Sequence, residues 1–215
     1  MRFTAFTLTL ALATACAATP ASDDIVFLES ESYRCGAAEG LGCGLAIAPV
    51  LESIDALDGV AESSVSWDGR YFRIALLPGA DASSVATEAA ALLEGEACCV
   101  AAPRGAAEAR PDEWFDLEHT VELSRYEAGV IAADFASQIA AEAALAGPDA
   151  EHMEAVLREE LEHAFERAHA QGGGVYRLRE QLPEVRTGFE GRLGFLTPDQ
   201  RSRIAALLDQ KSEEI

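Results

Sequence analysis

A chain of 215 residues with 49% hydrophobic content holds enough apolar material for a buried core and is not disordered by composition. Its formal charge of -21 is spread along the whole length; such a surface repels phosphate backbones, so nucleic acid is not an expected partner. No Ser-His-Asp order, phosphate loop or His-Glu-x-x-His motif is present, so the sequence makes no case for an enzyme.

Residues 1–22 read as an export signal. Arg2 is the charged start, FTAFTLTLALA is a short apolar run, and ATACAA supplies small residues for cleavage. The run is shorter than the roughly 20 apolar residues that a membrane-spanning helix needs. Ala13-Thr14-Ala15 before Cys16 resembles a bacterial lipobox, which implies a lipid on Cys16, although Leu12 stands one place earlier than that pattern has it. The expected location is the periplasm of a bacterium, or its outer membrane through a lipid anchor on Cys16. Thiols tend to oxidise in that compartment.

From Asp24 the pattern alternates. DIVFLESESYRC reads as a strand and GAAEGLGCG as a loop. Leu45, Ala48, Leu51 or Glu52, Ile54 and Leu57 recur at helical spacing, and Gly59 ends that helix. In SSVSWDGRYFRIALL, Asp68-Gly69 between two β-rich runs suits a hairpin with a type I′ turn. Pro78-Gly79 breaks the strand. ASSVATEAAALLEG is a second helix, capped by Ser83 or Asp81 and stopped at Gly95, and EACCVAA is a last short strand. The order β-α-β-β-α-β is the ferredoxin-like, or split βαβ, arrangement, so residues 23–102 are expected to form an α+β domain.

PRGAAEARP, residues 103–111, reads as a linker, and residues 112–215 as an all-α hairpin or bundle. A long helix is expected over Asp112–Ala146, with Trp114, Leu117, Val121, Val130 or Ile131, Phe135 and Ile139 on its apolar face. Gly147-Pro148-Asp149 ends it and opens a second helix to about Gln171, facing inward with Met153, Val156 or Leu157, Leu161 and Phe165. Gly172-Gly173-Gly174 breaks the chain. A third helix, Val175 to about Leu193, is expected to be interrupted or bent at Pro183. Thr197-Pro198-Asp199 opens a last helix through Leu208.

The stretch CGLAIAPVLESIDALDGV, Cys43 to Val60, resembles the heavy-metal-associated domain of copper chaperones, metal-transporting P-type ATPases and periplasmic mercury-binding proteins. Cys43 matches the first thiol of that family's Cys-x-x-Cys loop, Val50 and Ile54 match its apolar helix positions, and Gly59-Val60 fall in register. Ala46 stands where the second thiol would be. The resemblance covers Asp23 to Ala102 and implies a soft-metal site at Cys43.

In this topology the start of the last strand lies near the end of the first. Cys98 and Cys99 could therefore join Cys35 and Cys43 at one end of the sheet, although only one of that vicinal pair need face the cluster. The expected metal ligands are Cys35, Cys43, Cys98 and Cys99, and the expected ion is Cu, Zn or Hg. Cys43, at a helix N-terminus, is expected to have a stabilised thiolate, and Gly42 and Gly44 to leave it on an exposed loop suited to ligand exchange. The alternative is a Cys35–Cys43 disulfide, with Cys98 or Cys99 paired or buried. Thiol exchange through the vicinal Cys98-Cys99 is a third reading.

Leu196-Thr197-Pro198-Asp199-Gln200 resembles the LTxxQ motif of periplasmic stress chaperones and related envelope heavy-metal-resistance proteins, which implies a hooked helical domain that binds metals or unfolded partners. His119, His152, His163 and His169 lie in this half. Glu160 with His163 and Glu166 with His169 have the i, i+3 spacing of di-iron carboxylate bundles, with Glu122 and Glu142 as candidate further ligands. Solvated charged helix faces give the same pattern. The sequence thus suggests an exported metal-binding protein of the envelope that sequesters or transfers a soft metal ion and docks an envelope partner through its helices. The second reading is a metal-free, disulfide-stabilised interaction or chaperone-like module.

Overall fold

The computed structural model describes residues 24–93, 100–101, 114–145 and 147–212. The leader with Cys16, the Gly95 stop, Cys98, Cys99 and the 103–111 linker lie outside these residues. The described chain is a mixed α and β protein, an antiparallel sheet covered by helices.

Strand β1 covers only Ile25–Glu29. It stops short of the expected length because the Ser30 hydroxyl accepts the Ser32 N–H at 3.3 Å, a local turn that competes with the ladder. The following loop is sewn to its surroundings by main-chain bonds. Cys35 N–H donates to Leu41 O at 2.7 Å, Cys43 N–H to Tyr33 O at 2.8 Å, and Gly42 N–H to Trp67 O at 2.8 Å.

Helix α1, Gly44–Asp55, is buried on two opposite sides. Ile47, Leu51 and Ile54 enter the core beneath the sheet, whereas Leu45 enters the core of the helical half. Strands β2 (Val60–Ser66) and β3 (Tyr71–Leu76) form the expected hairpin. Its turn is not type I′, which needs a left-handed conformation at both central residues. Gly69 has φ of 72° but Asp68 does not share that hand, and Gly69 N–H closes onto Ser66 O at 2.8 Å. Side chains dictate this choice: Ser66 Oγ donates to Asp68 Oδ1 at 2.6 Å and accepts Tyr71 N–H at 2.9 Å.

Helix α2, Ala82–Leu92, starts from Asp81, whose carboxylate accepts the N–H groups of Ser83 (2.9 Å) and Ser84 (3.4 Å). Strand β4, Val100–Ala101, pairs antiparallel with β1. The expected helix from Asp112 starts later. Trp114–Asp116 form a further strand, β5, beside β2. The aromatic pair suits a strand. Trp114 meets Phe27 with ring centroids 6.2 Å apart, and Phe115 meets Trp67 at 5.8 Å. The strand order is β4-β1-β3-β2-β5.

Helix α3, Thr120–Glu142, buries Ile139 as expected, but its most deeply buried face is otherwise turned from the expected one. Leu123, Ala128, Ala132, Ala136 and Ile139 are buried, whereas Val130 is exposed and Ile131 and Phe135 are only partly covered. The periodicity of bulky residues omitted the alanine face because α3 packs between α1 and the next helix, where small residues permit close approach. Gly44 makes this plain: a Cβ there would stand 2.5 Å from the Thr120 carbonyl oxygen and collide with Ser124 Oγ.

Helix α4, Pro148–Ala170, buries Met153, Val156, Leu157, Leu161 and Phe165 as the spacing predicts. The triple-glycine corner then has φ of 96°, 73° and 89° at Gly172, Gly173 and Gly174, a run that only glycine adopts readily. It also repairs α1. Pro49 has no N–H to return to the Leu45 carbonyl four residues back, and Gly174 N–H binds that carbonyl instead, at 2.7 Å.

Helix α5, Val175–Arg192, is a single element through Pro183 rather than an interrupted one. After a 3₁₀ turn, Leu193–Phe195, helix α6 runs Pro198–Ser212. Thr197 and Gln200 form a reciprocal capping box. Thr197 N–H donates to Gln200 Oε1 at 3.0 Å and Gln200 N–H to Thr197 Oγ1 at 3.4 Å. No helix among the described residues is long and apolar enough to cross a membrane.

Candidate functional site: two thiols and a buried carboxylate

Cys35 comes from the loop after β1, Cys43 from the N-cap of α1, and Glu127 from the second turn of α3. The close packing of Gly44 under α3 brings them together. Glu127 is 3% exposed, a carboxylate lying on the small-residue seam of its helix. Cys35 Sγ donates to Glu127 Oε1 at 2.8 Å and accepts the Ala38 N–H at 3.1 Å. Cys43 and the Gly44 N–H face the same carboxylate. Its other oxygen, Oε2, is buried without a hydrogen-bond partner. An orphaned buried carboxylate oxygen is rare in a folded protein and marks a place where a donor or a cation fits.

The electrostatics follow from burial. Desolvation, then the hydrogen bond and charge of Glu127, push the Cys35 thiol up to about 12. Desolvation and the Glu127 charge push Cys43 to about 12 as well. Glu127 itself is raised by burial, while the two thiols and Gly44 N–H pull it back down. The expectation of a stabilised Cys43 thiolate is therefore corrected. The helix N-terminus is outweighed by burial and by a carboxylate that competes for the same positive end. Gly42 and Gly44 on either side of Cys43 are buried, although Gly36, Ala37, Glu39 and Gly40 of the same loop are exposed.

Cys35 and Cys43 are free thiols rather than a disulfide. Cys98 and Cys99 lie outside the described residues, as does Cys16. Among the described residues, no group of three or more His, Cys, Asp and Glu side chains is gathered as a metal cage. The Cys35–Glu127 pair is not spaced as two ligands of one ion. Ligands of one tetrahedral ion, at about 2.3 Å for sulfur and 2.0 Å for oxygen, stand about 3.5 Å apart. At 2.8 Å the pair is closed on a proton. The donor types suit a borderline divalent ion such as zinc better than Cu(I), because a carboxylate is a hard ligand.

The histidines do not assemble. His119 pairs with Asp116 at 2.7 Å, and His152 meets the Phe195 ring at 4.6 Å. His163 is exposed, and Ser124 Oγ lies 2.9 Å from His169 Nε2, where burial holds the imidazole below its ordinary range. Glu160 and Glu166 bind Arg192 and Arg125, and Glu122 and Glu142 are exposed. The two i, i+3 pairs are thus engaged separately, with His163 exposed, Glu166 part-exposed against Arg125 and His169 half-buried against Ser124. Glu127 belongs to no motif and is not among the expected ligands; its place four residues after Leu123 and one before Ala128, on the buried seam, was the available signal.

Compared with known proteins, the chain matches no protein-family model, no curated protein and no solved structure.

Proposed function

We propose that this is an exported metal-binding protein of a bacterial envelope, holding a divalent ion between Cys35, Cys43 and Glu127. The observation that carries the reading is the convergence of two free thiols on a buried carboxylate that has one oxygen without a partner. Glu127 supplies the donor that Ala46 lacks. Water or one of Cys98 and Cys99 would complete the shell. A bound divalent ion would replace the two thiol protons and leave the net charge of the site unchanged, with both thiolates and the carboxylate on one cation. The order β4-β1-β3-β2, with α1 after β1 and α2 after β3, supports a ferredoxin-like reading of the sheet unit and hence its likeness to heavy-metal-associated domains. The cover of α3 over the site favours sequestering an ion over handing it on. Residues 1–22, with Cys16, support export and a lipid anchor.

The test is a cadmium titration of the full chain, followed by thiolate-to-metal absorption. One ion per chain, two protons released, and loss of the signal in Cys43→Ser and Cys35→Ser support the reading. Glu127→Gln should retain the band but weaken binding. No band in the reduced wild type overturns it.

A second reading is favoured by the 2.8 Å Cys35–Glu127 hydrogen bond, which closes the site without any ion. Here the trio clamps α3 to α1 in a metal-free interaction module. Cysteine substitutions would then lower stability and change no metal binding.

A further inference from the structure

On the side of the helical half formed by α3, α4, α5 and α6 lies a cleft of about 520 Å³. Its walls include Phe135, Leu161, Leu182 and Phe189, and among the described residues the only charged groups lining it are Arg179 and Arg186. The volume falls in the range of sites for small organic ligands, roughly 300–1,000 Å³. Arg179 and Arg186 are two turns apart on α5, and both lie on its solvent-accessible side.

Two features narrow the occupant. Among the described residues the lining side chains offer hydrocarbon and guanidinium, and no other polar group. An extended peptide placed there would bring backbone N–H and C=O groups with no partner, whereas a hydrocarbon chain brings none. The charges select the head. Acids along α5 are already engaged: Glu180 with Arg177 at 3.1 Å, Glu184 with Arg167 at 3.4 Å, and Glu190 with Arg186 at 2.8 Å. Arg179 has no carboxylate partner among the described residues, although acids outnumber bases by 37 to 16 in the chain. An uncommitted guanidinium at the rim of an apolar cleft complements an anionic head on an apolar tail. We propose that this cleft binds the acyl chain of a free long-chain fatty acid, with the carboxylate held by Arg179.

The experiment uses the full chain and the fluorescent fatty acid cis-parinaric acid, displaced by oleate or by oleyl alcohol below their micelle concentrations. One probe per chain is expected, with oleate displacing it better than the alcohol. Arg179→Glu, at an exposed position, should weaken oleate about fivefold and leave the alcohol unchanged, as for a solvent-accessible ion pair. Leu182→Trp, which fills the cleft from a half-buried position, should weaken both ligands with the melting temperature retained. The proposal is overturned if neither substitution moves oleate affinity, if alcohol and acid bind alike, or if only phosphatidylglycerol vesicles bind and no monomer does.

Discussion

Glu127→Gln separates two roles of one carboxylate. The substitution keeps the shape and an acceptor oxygen beside Cys35 Sγ, now at 2.8 Å, but removes the charge that, together with burial, holds both thiols near 12. A thiol at about 12 is ionised to roughly one part in ten thousand at about pH 8. Returning fully to the ordinary value of 9.0 would raise that fraction by about a thousandfold. Burial is the largest cause and persists in the variant, so the expected gain is about ten- to hundredfold. The assay is alkylation of the full chain by iodoacetamide across mildly alkaline pH, with each thiol followed by peptide mass spectrometry. Faster alkylation together with weaker cadmium binding is the predicted pair. Alkylation that is unchanged or slower would refute the reasoning, because Glu127 would then be a base that assists thiol ionisation.

The same thiols give the protein an alkaline limit. Their folded values lie above the unfolded ones, so the stability they contribute is present below about pH 9 and is lost as pH rises toward 12. The slope is at most about 1.4 kcal/mol per pH unit per thiol, and less for the part-exposed Cys35. Thermal melts above about pH 9 should show it, and Cys43→Ser should flatten it. Gly44→Ala should cost about 2–3 kcal/mol in urea unfolding, because its methyl would meet the Thr120 carbonyl oxygen at 2.5 Å; a neutral result would contradict the close contact of α1 and α3. Thr197→Ala should cost about 1 kcal/mol by loss of the capping box, with metal binding unaltered.

Local chemistry was legible where it is self-contained. The Asp81 cap, the Thr197–Gln200 cap, the glycine corner and the inward face of α4 all follow from short spacings. The capping box also gives the Leu196–Gln200 motif a sufficient structural reason of its own. What was illegible depends on contacts distant in sequence. Pro49 cannot donate to the Leu45 carbonyl and Gly174, 125 residues further on, does so instead, and neither residue signals the other. The alanine face of α3 is selected by the nearness of α1, so the bulky residues that dominate its periodicity misled. Glu127 lies 92 residues from Cys35, and only the fold makes them a pair.

The most direct test of the metal site is a free-thiol count with elemental analysis on mature protein recovered without added reductant. The account predicts unoxidised Cys35 and Cys43 with about one zinc-like ion per chain, lost when Cys43 is replaced by Ser. Cys35 and Cys43 joined in a disulfide, or free with no stoichiometric metal, would contradict it.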